Sequence, residues 1–245
     1  MRNHSKRENR MGRSDTDAQH WGLTMRRIVV LSGGLVIVLA GSLVSAQFRL
    51  ASPDGHAATE IGGRYEGART PSYVGGKWIE ISYGRPIKRE RDLWGSRETY
   101  GWWLNRGALV WRAGANISTY LMTQAPLVIN DRRVEPGGYS LFIELEPDNW
   151  TLIVSEWQPQ RQYDPNNREQ LWGSYGYTPD KDIVRAPMTL SVLPFSVDQL
   201  TWMFLDMSAA GGRMALMWDA VMAAVPFAIE GGDQNEDTKN DERRP

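Results

Sequence analysis

Five polar residues, Arg85, Arg112, Asn116, Asp182 and Arg185, sit inside or at the edge of otherwise apolar strand-like runs. A charge in such a place is costly unless it is paired or faces a ligand. Two readings are open. In one, the charges pair internally, Arg112 or Arg185 with Asp182, and Asn116 caps a turn after Gly114. In the other, the guanidiniums line a concave site for a carboxylate, a phosphate or sugar hydroxyls. Trp111, Trp172, Tyr175 and Tyr177 then offer flat faces for stacking, although large aromatics also fill β-sandwich cores.

The stretch from Trp78 to Ile229 contains no histidine and no cysteine, which removes the usual side chains of metal centres, nucleophile–histidine pairs and thiol chemistry. No metal and no cofactor are expected. Carboxylates for glycosidase-type chemistry could come from Glu144, Glu146, Glu156 or Asp182, yet Glu144 and Glu146 share a face beside a turn and read as solvent-facing. A hydrolase using a carboxylate and Arg-stabilised negative charge is therefore the second expectation, behind a non-catalytic binding module, and a structural envelope component whose strand edges pair with another protein is the third. The basic cluster Arg85, Lys88, Arg89, Arg91 and Arg97 is diluted by Glu90, Asp92 and Glu98. It reads as a solvated loop, with docking of an anionic lipid or polymer as the sharper alternative.

Composition narrows the classes further. A net charge of −1 over 245 residues argues against a dedicated polyanion binder, so nucleic acid is not an expected partner. The absence of cysteine leaves no disulfide framework and no attachment point for a lipoprotein anchor. Stability must then come from apolar burial, and ten of the 11 tryptophans fall between Trp78 and Trp218.

The elements that must carry these residues are strands. Tyr139, Leu141, Ile143 and Leu145 alternate with Ser140, Phe142, Glu144 and Glu146, the period of two of a half-buried strand. Pro147-Asp148-Asn149 supplies a turn, and Trp150, Leu152 and Val154 continue the alternation as the second arm of a hairpin. Further strands are expected at 78–83, 109–112, 117–122, 127–129, 183–192, 200–207, 214–218 and 225–229, with Gly211-Gly212 in a hairpin turn. Met214 to Val225 is rich enough in Met, Ala and Leu to support a helix instead. Pro126, Pro187, Pro194 and Pro226 fit edges or bulges. The polar, aromatic segment from Glu156 to Lys181 reads as a packed surface loop of the kind that lines sites. The fold class expected is all-β, a single antiparallel β-sandwich or jelly-roll-like domain over residues 77–230.

Flanking segments differ in kind. Residues 1–24 form a polar extension, and residues 25–46 read as a signal peptide or signal anchor: Met25-Arg26-Arg27, an uncharged run from Ile28 to Val44, then Val44-Ser45-Ala46 as a cleavage site. Residues 47–76 read as a flexible tether and residues 231–245 as a disordered tail. The expected location is outside the cytoplasm, periplasmic, secreted or on the outer face of the cytoplasmic membrane. Membrane contact is expected only through the N-terminal segment.

A particular order of motifs runs through the domain. Ser82-Tyr83-Gly84-Arg85-Pro86 is followed by Leu93-Trp94-Gly95, by Val110-Trp111-Arg112-Ala113-Gly114-Ala115-Asn116, and by Pro136-Gly137-Gly138-Tyr139-Ser140-Leu141-Phe142. Trp172-Gly173 with Tyr175 and Tyr177, then Asp182-Ile183-Val184-Arg185, and finally Trp218 with Val225-Pro226-Phe227-Ala228-Ile229 complete it. Together these resemble the bacterial family known as domain of unknown function 2911. The resemblance implies an exported, mainly β domain without an established activity. Two departures stand out: Asn105-Arg106-Gly107 replaces the family's Pro-Tyr-Gly element, and Ile117 replaces an acidic residue that commonly follows the motif's Asn. The expected partner is a small polar ligand, a glycan or an envelope protein.

Overall fold

Alternating burial along the chain builds two main sheets. The computed structural model describes residues 51–231. In chain order the strands are β1 (Asp54–Ile61), β2 (Arg64–Glu66), β3 (Ser72–Val74), β4 (Lys77–Gly84), β5 (Thr119–Thr123), β6 (Leu127–Ile129) and β7 (Arg132–Val134). They continue with β8 (Gly137–Glu146), β9 (Asn149–Ser155), β10 (Gln158–Pro159), β11 (Gln170–Leu171), β12 (Asp182–Pro187), β13 (Thr189–Ser208) and β14 (Gly211–Ile229). A six-stranded sheet has the order β1-β4-β5-β8-β9-β12, and a four-stranded sheet the order β13-β14-β6-β7, beside the two-stranded pairs β2-β3 and β10-β11. Every pairing within the two main sheets is antiparallel, giving the sandwich-like all-β fold that the alternation predicts.

Residues of both sheets enter one buried cluster. Ile79, Ile81, Leu121, Leu141, Ile143, Leu152 and Val154 come from the larger sheet, and Leu127, Trp202, Leu216, Trp218 and Val225 from the smaller. Each large side chain so buried contributes about 1.5–3 kcal/mol, against about 0–1 kcal/mol for an exposed ion pair. Apolar burial therefore dominates. Phe142 and Ile153 point to the opposite face of β8 and β9, where Val110, Trp157, Leu171 and Tyr177 cover them. Three of those four covering residues belong to the 156–181 loop. This loop is held from within by buried Gln160, which donates to the carbonyl of Gln170 at 2.9 Å and accepts from the Asp164 N–H at 2.8 Å.

β14 folds back on itself. A run of 19 residues extends about 60 Å at the usual strand rise, yet the N–H of Ile229 donates to the carbonyl of Ala210 at 2.8 Å. The bend coincides with register shifts between Val192 and Thr201 and with Asp219 at φ 53°, a left-handed conformation that aspartate tolerates better than most residues. Lys88 and Ser196 both donate to the Asp219 carboxylate, Ser196 at 2.7 Å. Burial alone would raise the pKa of Asp219, but these hydrogen bonds and the Lys88 charge outweigh it and hold the group below its ordinary value. A depressed folded-state pKa stabilises fully above the unfolded value, about 3.9, and the stabilisation is lost as pH falls from there through the folded value. Lys88→Met is therefore expected to flatten the acid limb of a stability-against-pH curve below about pH 4, measured as the urea midpoint at successive pH values. An acid limb identical to that of the wild type would refute the pinning role.

Several expectations change. The 47–76 stretch is not a tether throughout, because β1 pairs with β4 along its whole length, from Asp54↔Gly84 to Ile61↔Lys77. As an edge strand β1 buries little on either face, so its sequence lacks an apolar signal. It also brings one histidine into the domain, His56, 3.4 Å from Glu80. The 183–192 run breaks into β12 and β13, and the 109–112 run is reduced to one bridge between Trp111 and Ile143. Met214 to Val225 is strand and not helix, since cross-strand pairing with β13 overrides propensity. The hairpin turn is Ala209-Ala210, with Gly211 opening β14.

The proline reading holds for Pro187 and for Pro194, which falls in the register shift between Val192 and Val197 of β13, whereas Pro126 precedes β6 and Pro226 lies within β14, an inner strand. Pro187 ends edge strand β12, and Pro226 lies past the last β13 partner of β14 and before its first β6 partner. No helix among the described residues is long and apolar enough to cross a membrane. The 1–24, 25–46 and 232–245 segments lie outside the described residues.

Candidate functional site

Tyr177, Asp182 and Arg185 meet at a cleft of about 730 Å³. β12 begins at Asp182, and its register against β9 shifts between Asp182 and Val184; a bulge of this kind re-aims the side chain beside it. Asp182 Oδ2 accepts from Tyr177 Oη at 2.6 Å and from Arg185 Nη1 at 2.9 Å. The other Arg185 nitrogen, Nη2, pairs with Glu144 of β8, reaching over β9 from the same sheet face. Asn130 completes the frame by donating Nδ2 to the Arg185 carbonyl at 2.9 Å. Its position follows from a two-residue β6–β7 turn in which Asn130 and Asp131 have φ of 48° and 58°, the signature of a type I′ hairpin turn.

One atom in this network has no partner. The Asp182 side chain is only 5% exposed, and its Oδ1 is buried without a hydrogen bond. Burial first, and then donation to Asp182, push the Tyr177 phenol far above its ordinary pKa, so it stays a donor at neutral pH. Burial opposes the Arg185 charge, but Asp182 and Glu144 outweigh it and raise its pKa. With Arg132 also on the wall, the cleft holds two cations and two carboxylates. Leu109, Pro179 and Ile183 supply apolar surface.

Arg112 and Asn116 lie elsewhere. They line a second concavity of about 400 Å³ that shares no residue with the first. Arg112 Nη1 donates to the Asn116 carbonyl at 2.8 Å, and its guanidinium lies 6.0 Å from the Tyr175 ring centre. Gly173 has φ 64°, a left-handed conformation that favours glycine, and a Cβ there would come within 2.7 Å of Arg112 Nη1 and displace the guanidinium. Asn116 donates to the Ser52 carbonyl at 3.2 Å. Burial lowers the pKa of Arg112, and Arg106 pushes in the same direction.

The remaining candidates scatter. Arg85 ties the end of β4 to β13, donating to Leu200 O at 3.3 Å and Thr201 Oγ1 at 3.1 Å. Trp111 gives its ring to the core at 1% exposure, and Tyr177 packs its ring on Phe142 at 5.0 Å and turns only its hydroxyl to the cleft. Tyr175 is 62% exposed, and Trp172 meets Tyr163 at 6.1 Å beside a third hollow. Internal pairing thus describes Arg185 with Asp182, whereas Arg112 has no carboxylate partner among the described residues. Glu144, Asn130, Arg132 and Leu109 are the cleft residues that pattern reading missed. Glu144 reads as solvent-facing by alternation; only the β8-β9-β12 order brings it opposite Arg185. Asn130 had a signal, the Asn-Asp pair between two apolar runs.

No curated protein and no solved structure matches the chain. A family model described as Protein of unknown function (DUF2911) matches residues 67–227, spanning every residue of both concavities except Ala51 and Ser52. The chain therefore belongs to the DUF2911 family.

Proposed function

We propose that the domain is a non-catalytic binding module, and that the Asp182 cleft holds a small, hydroxyl-rich ligand of no net charge. The observation that carries this reading is the buried, unpartnered Oδ1 of Asp182, a residue that lines the cleft. An orphaned carboxylate oxygen costs about 1–3 kcal/mol or more, and a ligand O–H removes that cost. Balanced charge on the wall disfavours an ion and suits a polyol or sugar, whose hydroxyls both donate and accept. A volume near 730 Å³ falls in the range of small-molecule sites. Glu144 and Asp182 are both engaged by Arg185, which suits holding a ligand better than moving protons. The leader-like 25–46 segment supports work outside the cytoplasm, and N-terminal sequencing of the mature protein tests that part directly.

Asp182→Asn tests the site itself. The amide oxygen must face the two donors, Tyr177 and Arg185, which leaves the NH₂ where Oδ1 stood. An acceptor becomes a donor with little change of shape. Thermal-shift and calorimetric titrations of the full chain with glucose, N-acetylglucosamine, trehalose and inositol are expected to show binding by the wild type. In Asp182→Asn the affinity should fall about 10- to 100-fold, the worth of one hydrogen bond to a charged group. Absence of any wild-type response to these neutral probes, or an unchanged response in the variant, would remove the proposal.

A further inference from the structure

The second concavity has the opposite electrostatic character. It forms where Ala51-Ser52, the 86–91 loop, the helical turn Trp102–Asn105 and the 111–116 loop meet. Arg89, Arg91 and Arg112 line it, and no aspartate or glutamate does. Among the described residues none of these three, nor the neighbouring Arg106, forms an ion pair. The nearby Asp92 turns its carboxylate to the N–H groups of Trp94 and Gly95.

Two of the three guanidiniums are also held in place, while exposed Arg89 has one long contact, Nη2 to the Ala51 carbonyl at 3.5 Å. Arg91 donates Nε to Lys88 O at 2.8 Å and Nη2 to Ile87 O at 2.6 Å, which fixes its plane. Arg112 is gripped by the Asn116 carbonyl, Gly173 and Tyr175, yet among the described residues only its Nη1 finds a hydrogen-bond partner. Trp103, 63% exposed, forms an apolar wall beside them. Asp198 comes close but spends its Oδ1 on the Arg89 backbone N–H at 3.3 Å; like charges brought together without an ion-pair partner cost free energy, and a bound anion recovers it. One carboxylate matches one guanidinium fork. Three forks around one hollow match a group with three or more oxygens and a charge near −2.

We propose that this groove is a phosphate site, in which Arg89, Arg91 and Arg112 hold the phosphate of a free ester or of a phospholipid headgroup while Trp103 lies against its organic part. It is independent of the Asp182 cleft, whose expected ligands carry no charge.

Calorimetry of the full chain in detergent, at constant ionic strength set with chloride, would use inorganic phosphate, pyrophosphate and glycerol 3-phosphate as probes. Flotation with phosphatidylglycerol-containing and pure phosphatidylcholine vesicles gives the lipid arm. The N-terminal segment is net basic and itself favours phosphatidylglycerol, but it is shared by wild type and variant, so its contribution cancels in the difference between the two proteins. Binding of a free phosphate probe that weakens at least tenfold in the Arg89→Ala/Arg91→Ala variant supports the site with a soluble source. A phosphatidylglycerol preference lost in that variant supports it with a lipid source. Both substituted side chains are exposed, so folding should persist; Arg112→Gln provides the independent third position. Probes that do not bind, or bind the double variant as well as the wild type, would overturn the assignment. Asp182→Asn is expected to leave phosphate binding unchanged, which separates failure here from failure of the neutral-ligand reading.

Discussion

Trp111→Ala should unfold this domain more readily than any surface change, with a loss of about 3–5 kcal/mol. Whole domains of this kind are stable by only about 5–15 kcal/mol, so the urea midpoint should fall by about a fifth or more. The indole is 1% exposed and sits at the centre of an aromatic cluster: stacked on Trp218 at 6.0 Å and edge-on to Trp150 at 6.5 Å. Trp94 closes the group, 4.8 Å from Trp150 and 6.3 Å from Trp218. Alanine would leave a cavity whose two nearest walls, Trp150 and Trp218, resist collapse because their polar ends are tethered. Trp150 Nε1 donates to Tyr100 Oη at 3.1 Å and Trp218 Nε1 to Asp198 O at 3.1 Å. Trp111 also joins β8 through paired backbone hydrogen bonds with Ile143 at 2.7 and 2.8 Å. Trp111→Phe keeps most of the volume and gives up only the 3.3 Å bond to Gly114 O, so it should cost about half as much or less. Equal midpoints for Trp111→Ala and the wild type would show that the cluster is not the keystone of the core.

Arg185→Gln should destabilise by about 2–3 kcal/mol, well above the norm for a side chain that is 41% exposed. The loss comes from what is left behind. Asp182, 5% exposed, would retain Tyr177 as its one donor, and Glu144 would lose its partner. Removing one member of a buried pair strands the other, whereas removing both does not. The Asp182→Asn/Arg185→Gln double variant should therefore cost less than the sum of the single changes by about 1–2 kcal/mol. Denaturant titration of the four proteins in the cycle measures this coupling. Additivity within about 0.5 kcal/mol would mean that the network is surface decoration and would weaken the cleft as a built site.

The strands of the core were readable from residue order. Leu141, Ile143, Leu152 and Val154 alternate because a pleated chain with one buried face must alternate, and the structure places all four in the same cluster. Asn130 and Asp131 are of the residue types that a tight turn takes. β1 stayed hidden, since an edge strand with Gly55, His56 and Glu60 needs no apolar stripe to pair with β4. Met214–Val225 was ambiguous for a related reason: Met, Ala and Leu suit a helix locally, and a neighbouring strand overrules that preference.

For the polar residues, type was legible and company was not. That Arg112, Asp182 and Arg185 need partners follows from the cost of burying charge, which depends on the side chain and its apolar neighbours in the chain. Which partner each finds depends on strand order and register, quantities that no local pattern encodes. Glu144 and Arg185 are 41 positions apart and meet because β9 separates β8 from β12, while Arg112 and Asp182 end in different hollows. Composition and alternation determined an all-β domain built on buried indoles. The stacking of sheets in space divided its charges into one balanced cleft and one cationic groove, because electrostatic pairing acts through distance and not through sequence.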